Sequence, residues 1–466
     1  MSESVTGARA PTLSMMRNFV LVVLMPVALT TGCTQARMSP EPAPISTMGV
    51  QLDAYLAPLL NDHEFSGTIL IRRRGETIAW RSYGMANREF GVPNGPDTRY
   101  LVGSIAKEFT AAAILLLEQQ GKLSTADPLD KFVPDFPNGH SITLRQMLTH
   151  TSGISRDLAN ASDATVAHTS AELVDIIRHQ PAAFAPGTKY GYSNNAYKVL
   201  AYVIERVSGV PYGAFLERAF FRPLGMAGTG NYGSLTLVPR LANGYSPGFG
   251  PEGFGPSPHL DISNNLGAAS LYSTPADLAI WSERFLMKGN LYPAVRDTMI
   301  SGNGIGAGVT TVNGQRVISH DGVYQGYTSF TATYPESELT IVYLGNTETS
   351  ASVSPLQAAL MAIATGKPVA PAPTVPRGGP VPVAVINDYV GTFDFFPGLR
   401  ATIKQEGDAL MLGVGEGDYP LEWRGADHAF FRLKHADVSF KRDAAGKVTA
   451  LDWSEAGRTF PAKRVE

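Results

Sequence analysis

One stretch limits the possible folds more than any other. "GKPVAPAPTVPRGGPVPVA" runs from Gly366 to Ala384. Proline lacks a backbone N–H, and its ring disfavours helical backbone at the preceding residue. Neither a helix nor a central strand can run through such a segment. It must therefore divide the chain into a large body, residues 48–366, and a small tail, residues 386–466. Residues 367–385 form a stiff, extended linker. A linker of this kind implies that few contacts fix the tail to the body, which makes the tail a separable accessory domain.

The body opens on strand-like runs, "GTILIRR" and "TIAWRSYG", and closes on others, "YTSFTATYPE" and "LTIVYLGN". A long helix-rich middle lies between them. Strands at both ends with helices between predict an α+β body, an antiparallel sheet with a helical insertion. Regular βαβ alternation is missing, which argues against a doubly wound parallel sheet. In the tail, "YVGTFDFF", "RATIKQEG", "ALMLGVG", "PLEWRG", "AFFRLKH", "VSFKRD", "VTALDW" and "RTFPAKR" are short strand candidates separated by Gly, Asp or Asn. That spacing predicts a small all-β meander, closed or nearly closed into a barrel.

The N-terminus predicts export. In "MMRNFVLVVLMPVALTTGCTQ", Arg17 precedes an apolar run from Phe19 to Leu29, too short to span a bilayer. Small residues then lead to Cys33. The pattern resembles a bacterial lipoprotein signal over residues 1–33, with Cys33 as the lipidated residue, although Thr30 stands where such signals prefer leucine. Residues 34–47 read as a tether. The expected location is a membrane-anchored or periplasmic one, with a lipid anchor as the only link to the membrane. Cys33 is the single cysteine, so no intrachain disulfide can form. The net charge is -3 and no long basic run occurs, so no nucleic-acid partner is expected. No HExxH and no Cys/His pairs at ligand spacing are present, so no metal and no cofactor are expected.

Three short elements carry chemistry. "YLVGSIAKEFTAAAILLLEQQGK", Tyr100 to Lys122, reads as one helix, apolar nearly all round and stopped by Gly121. Near its start, Ser104 and Lys107 share a face. A serine at a helix N-terminus can attack a carbonyl while its own N–H faces the resulting oxyanion. Burial of Lys107 disfavours its charge, and a neutral amine beside a hydroxyl is a general base. The second element is Tyr192-Ser193-Asn194, just ahead of an amphipathic helix that Gly209 ends. A phenol near an ammonium gives up its proton more readily, and an asparagine amide can hold a substrate amide. The third is His320-Asp321-Gly322, opening a strand. Gly322 would let a substrate backbone approach, and the N–H of Val323 is a candidate second oxyanion donor.

Together these elements resemble the penicillin-recognising serine hydrolases: class C β-lactamases, serine D,D-peptidases and their esterase and D-amino-acid peptidase relatives. The resemblance runs from about Asp53 to Asn346, and "LTHTSGI" and "PGTKYGYSN" point to the class C-like branch. The tail from Tyr389 resembles the lipocalin-like β domain appended to some of them. The resemblance implies that Ser104 forms an acyl-enzyme on a small-molecule or peptide ester or amide. It implies that Lys107 and Tyr192 share the proton transfers and that Asn194 binds substrate. The N–H groups of Ser104 and Val323 would form the oxyanion hole. The third motif departs from the lactamases' K-T-G: His320 replaces the lysine, and a strong partner for a substrate carboxylate is lost. Two other roles keep the same fold, an acyl-trapping penicillin-binding receptor and a non-catalytic lipoprotein.

Overall fold

The strand runs at the two ends of the body lie side by side. The computed structural model describes residues 47–465 except 159–163, 234, 249–252, 350, 352, 377, 380, 397–398, 415–416 and 456–457. The signal segment and Cys33 lie outside the described residues. From the start of the body come β1 (Gly67–Arg73) and β2 (Glu76–Tyr83). From its end come β3 (Gly308–Val312), β4 (Gln315–Tyr324), β5 (Tyr327–Tyr334) and β6 (Leu339–Gly345). They form one antiparallel sheet in the order β3-β4-β5-β6-β1-β2. The seam between the two ends is β1 on β6, with Leu70 opposite Val342. Arg74 and Gly75 connect β1 to β2 with φ of 54° and 79°. Two such residues match the twist of a two-residue hairpin, and glycine adopts that backbone at no steric cost.

Four helices matter for the argument: α1 (Thr47–Asn61), α2 (Ala106–Gln119), α3 (Asn194–Ser208) and α4 (Ser354–Thr365). Successive strand residues point to opposite faces. Ile69, Ile71, Ile341 and Tyr343 pack with Leu52 and Leu56 of α1 and Leu360 of α4. Leu70, Val342 and Leu344 pack in the larger core with α2 and α3. Both faces are covered, which is why these strands read as unbroken apolar runs.

The first chemical element does not form one helix. Tyr100 and Leu101 pair as a short strand with Ser273 and Tyr272, and Gly103–Ile105 make a 3₁₀ turn. Only at Ala106 does α2 begin. The break is Gly103, at φ +51°. That left-handed backbone costs an ordinary residue energy, and a Cβ there would sit 2.9 Å from the N of Val323. From Ala106 to Leu117 every residue of α2 is buried, as its composition predicts.

The tail closes. Its strands are β7 (Gly391–Phe396), β8 (Leu399–Glu406), β9 (Ala409–Val414), β10 (Gly417–Gly425), β11 (His428–Phe431), β12 (Ala436–Arg442), β13 (Val448–Glu455) and β14 (Arg458–Arg464). Each pairs with the next, and β14 returns to β7 through Phe393 opposite Arg464. The interior is filled by side chains such as Phe393, Ile403, Leu412, Trp423, Phe440 and Leu451. An eight-stranded barrel is just wide enough for such a packed core.

The expectation of a loosely tied tail is corrected. Arg432 lies between β11 and β12, and its side chain is fully buried against the equally buried Glu64 of the body. Its Nε donates to Glu64 Oε1 at 2.8 Å and its Nη1 to the carbonyl of Gly253 at 2.9 Å. The guanidinium lies 4.3 Å from the ring centroid of Phe254. Phe430 of β11 belongs to the body's second core, beside Tyr334 and Leu339. The proline-rich segment is itself engaged: Val375 joins that core, while Val381 joins the barrel's. Proline removes donors but leaves apolar rings and carbonyls, so a proline-rich segment can be laid down as well as left free.

Candidate active site

Ser104 sits in the 3₁₀ turn at the head of α2, and the first turn of α2 brings Lys107 under it. Lys107 Nζ is 3.0 Å from Ser104 Oγ and 2.9 Å from the carbonyl oxygen of Ala268. The lysine is fully buried. Burial is the largest influence on its amine and lowers its pKa to about 7, with Lys198 and Arg156 pushing the same way against Asp157.

Tyr192 approaches from the loop before α3. Its hydroxyl is hydrogen-bonded to Ser104, yet burial dominates and raises its pKa to about 12. The expectation that a nearby ammonium would loosen the phenol proton is therefore reversed: the phenol keeps its proton and the amine gives its own up. Ser193 caps α3, its hydroxyl accepting from the N–H of Ala196 at 2.9 Å. That cap fixes the residues on either side of it, Tyr192 and Asn194.

The third element runs past the nucleophile as an unpaired strand edge. β3 pairs with Gln315–Ser319 of β4, and its register ends there. Beyond it, the backbone at Gly322 meets the Ser104 turn. A Cβ on Gly322 would lie 2.3 Å from the carbonyl oxygen of Val102 and 2.8 Å from the N of Ser104. Gly322 is thus required by the nucleophile's own backbone, a close approach that the sequence does not reveal. The close approach sets the N of Ser104 and the N of Val323 on adjacent chains. Ser329 stitches them, donating to the carbonyl of Val102 at 2.7 Å.

The remaining residues divide between two cavities. One, of about 460 Å³, is lined by Ser104, Asn194 and Val323 among others. Asn194 Nδ2 donates to Asp157 Oδ1 at 2.6 Å, so one side of its amide is already engaged. The other cavity, of about 860 Å³, is lined by Tyr192, His320 and Asp321 among others. His320 Nδ1 is 2.5 Å from the carbonyl oxygen of Asp321. Burial, with the charge of Lys107, depresses its pKa and favours the neutral ring.

His150 is the residue that sequence reasoning missed. Its ring stacks on Tyr192, with centroids 4.4 Å apart, and its Nδ1 accepts from the N–H of Ser193 at 3.1 Å. Burial lowers its pKa to about 3, which keeps it neutral and able to accept. It lies in "LTHTSGI", but only the fold brings it under the phenol.

A further serine, Ser246, stands in a Gly-x-Ser-x-Gly pentapeptide, Gly244 to Gly248. It is no nucleophile elbow. It sits on the short strand Tyr245–Pro247, paired with Phe254–Pro256, and its buried hydroxyl is 2.7 Å from that of Ser257. Among the described residues the next element after it is the strand Phe254–Pro256, where a nucleophile elbow needs a helix. Among the described residues no group of acidic, His or Cys side chains could hold a metal ion, and no helix is long and apolar enough to cross a membrane.

Comparison with known proteins shows the family. Residues 52–365 match the family described as Beta-lactamase. The penicillin-binding protein PbpX of Bacillus subtilis is 37% identical over 235 residues, half of this chain and 58% of the relative. A second Bacillus subtilis penicillin-binding protein is 28% identical over 409 residues, covering 81% of this chain and 89% of the relative. Of solved structures, the octameric penicillin-binding protein homologue from Pyrococcus abyssi superposes with a TM-score of 0.60 at 23% identity, over 90% of this chain and all of that one.

Proposed function

Because the chain belongs to the Beta-lactamase family, we propose that it is a serine hydrolase acting on ester or amide bonds through an acyl-enzyme on Ser104. The observation that carries the reading is Lys107: fully buried, 3.0 Å from the serine oxygen, with its pKa drawn down to about 7. Neutral Lys107 takes the Ser104 proton as Oγ attacks the substrate carbonyl carbon. Negative charge develops on the carbonyl oxygen, where the N–H groups of Ser104 and Val323 stabilise it. Tyr192 donates its proton to the leaving oxygen or nitrogen and recovers one from the Lys107 ammonium. Water then repeats the attack on the Ser104 ester and releases the acid.

Asn194 orients the acyl portion from the 460 Å³ cavity. His320, neutral and without a full charge to offer, tunes the choice of leaving group from the other. Export, with Cys33 carrying a lipid, belongs to the same proposal and rests on the N-terminal sequence alone.

A fluorophosphonate or a β-lactam should add mass at Ser104 only. Ser104→Ala should lower ester hydrolysis by about 10⁴-fold or more while the melting temperature holds, as expected when a nucleophile is removed. A label on another serine, or an active alanine variant, would sink the assignment. A β-lactam adduct that persists while no ester is turned over would make the protein an acyl-trapping receptor instead.

A further inference from the structure

The cavity beside Ser104 has a wall that the body does not supply. Tyr419 of β10, and Leu433 and Lys434 of the β11–β12 turn, line it together with Ser104, Asn194 and Val323. Their placement follows from Arg432. With its guanidinium held by Glu64, Gly253 and the Phe254 ring, the next two residues of the turn are delivered to the cavity. On the neighbouring strand edge, Gly417 packs on the body, since a Cβ there would lie 2.8 Å from Pro258 Cγ. Tyr419 and Leu433 are nearly covered, at 8% and 7% exposure, whereas Lys434 is exposed to solvent.

The charges of the cavity are unbalanced. Its cations are Arg156, Lys198 and Lys434, and its anions are Asp157 and Glu348, so the sum is 3 − 2 = +1. Arg156 and Asp157 pair at 3.2 Å. Glu348 accepts from the N–H of Gly326 at 2.9 Å; burial raises its pKa, while that hydrogen bond and the Lys434 ammonium act against the rise. An apolar wall of Tyr419 and Leu433 leading to an exposed ammonium suits an apolar arm that ends in an anion.

We propose that the barrel turn at 432–435 is the specificity wall of the active site, and that Lys434 recognises a carboxylate at the far end of the substrate's acyl arm. This inference rests on the acyl-transfer reading above. It also gives the position of the missing K-T-G lysine a different answer: the cation comes from the barrel, on the acyl side, and not from the strand that carries His320.

The test compares acylation rate constants for Ser104, read by mass spectrometry and p-nitrophenol release. The substrates are matched pairs: p-nitrophenyl glutarate monoester against p-nitrophenyl valerate, and the suberate monoester against the octanoate. Within a pair the arms have equal length and differ only in a terminal carboxylate. For at least one length, Lys434→Glu should lower the anionic-to-neutral ratio about tenfold, and Lys434→Gln by less, with the loss shrinking at high salt. Lys434→Arg should restore the ratio. For 4-(valeryloxy)benzoate, whose carboxylate leaves with the phenol, the ratio to a neutral aryl valerate should not follow Lys434. An unchanged ratio in Lys434→Glu at both lengths, or equal losses with the benzoate ester, overturns the proposal while leaving the hydrolase reading intact. Failure of every ester to acylate Ser104 in the wild type overturns the hydrolase reading and this inference with it.

Discussion

The body and the barrel seam each bury charged side chains, and they handle them in opposite ways. In the body, Lys107 and Glu108 are adjacent and fully buried on α2. Their direct partners are neutral: Ser104 and Ala268 for the lysine, the indole N–H of Trp281 at 2.6 Å for the glutamate. Burial therefore wins, taking the lysine down to about 7 and the glutamate up to about 8. At the seam, Arg432 and Glu64 are as deeply buried but face each other. There each charge answers the other, and the guanidinium's remaining donors reach backbone carbonyls. A desolvated charge that meets neutral groups becomes a proton-transfer group. A desolvated charge that meets its opposite becomes a fastener.

The largest effect that tests this contrast is at Lys107. Lys107→Ala should lower Ser104 acylation by about 10³-fold, because a serine without its base is a weak nucleophile. In the wild type, kcat/KM should rise with pH through about 7, since the neutral amine is the active form. A flat profile between pH 5 and 9 would remove Lys107 from the role of base. Next comes the seam. Arg432→Ala removes the guanidinium that meets Glu64 and should destabilise the fold by about 3–5 kcal/mol, the usual cost of breaking a buried pair on one side. Adding Glu64→Gln should recover part of that loss. Urea denaturation of the single and double variants measures it, and no recovery would mean that the pair is not what fastens the barrel.

The last test concerns Glu108, whose effect appears only as a dependence on pH. Its folded pKa, about 8, lies above the ordinary value of 4.5. Below about 4.5 both folded and unfolded states hold the proton, so the protonated side chain imposes no penalty there. Between 4.5 and 8 the unfolded state releases the proton while the folded state keeps it, so this group's contribution to stability falls as pH rises. Glu108→Gln should remove that fall and raise the melting temperature at pH 8 more than at pH 5. An equal change at both pH values would show that the carboxyl is ionised in the folded protein.

Much of the fold is local, and local patterns are legible. The eight strand candidates of the tail are spaced by turn residues, and they close as a barrel. The apolar runs at the two ends of the body carry their own signal because both faces of β1 and β6 are covered. Ser104 and Lys107 are three residues apart, so their meeting needs only one turn of helix. Apart from the break at Gly103, the misses are long-range. Gly322 is a glycine because Val102 and Ser104 press on it from more than two hundred residues away. His150 reads as one more turn residue until Tyr192 lies on it. Arg432, inside "AFFRLKH", is indistinguishable from a solvated strand arginine until Glu64 stands opposite. The prolines of the linker do exclude helix, but an excluded helix says nothing about what the extended chain then lies against.

The Arg432–Glu64 pair also bears on how the protein is made. The two residues are 368 apart in the chain. At common rates of synthesis, roughly 5–20 residues per second, the ribosome needs about 20–70 s to travel from one to the other. Throughout that interval Glu64 exists without its guanidinium. A body that closed early would bury that carboxylate without the guanidinium that meets it in the finished fold. A chain cut short before residue 432, by a stop codon or a protease, would lack the guanidinium that fastens Glu64. That leaves it open to the same degradative machinery that clears unfinished proteins.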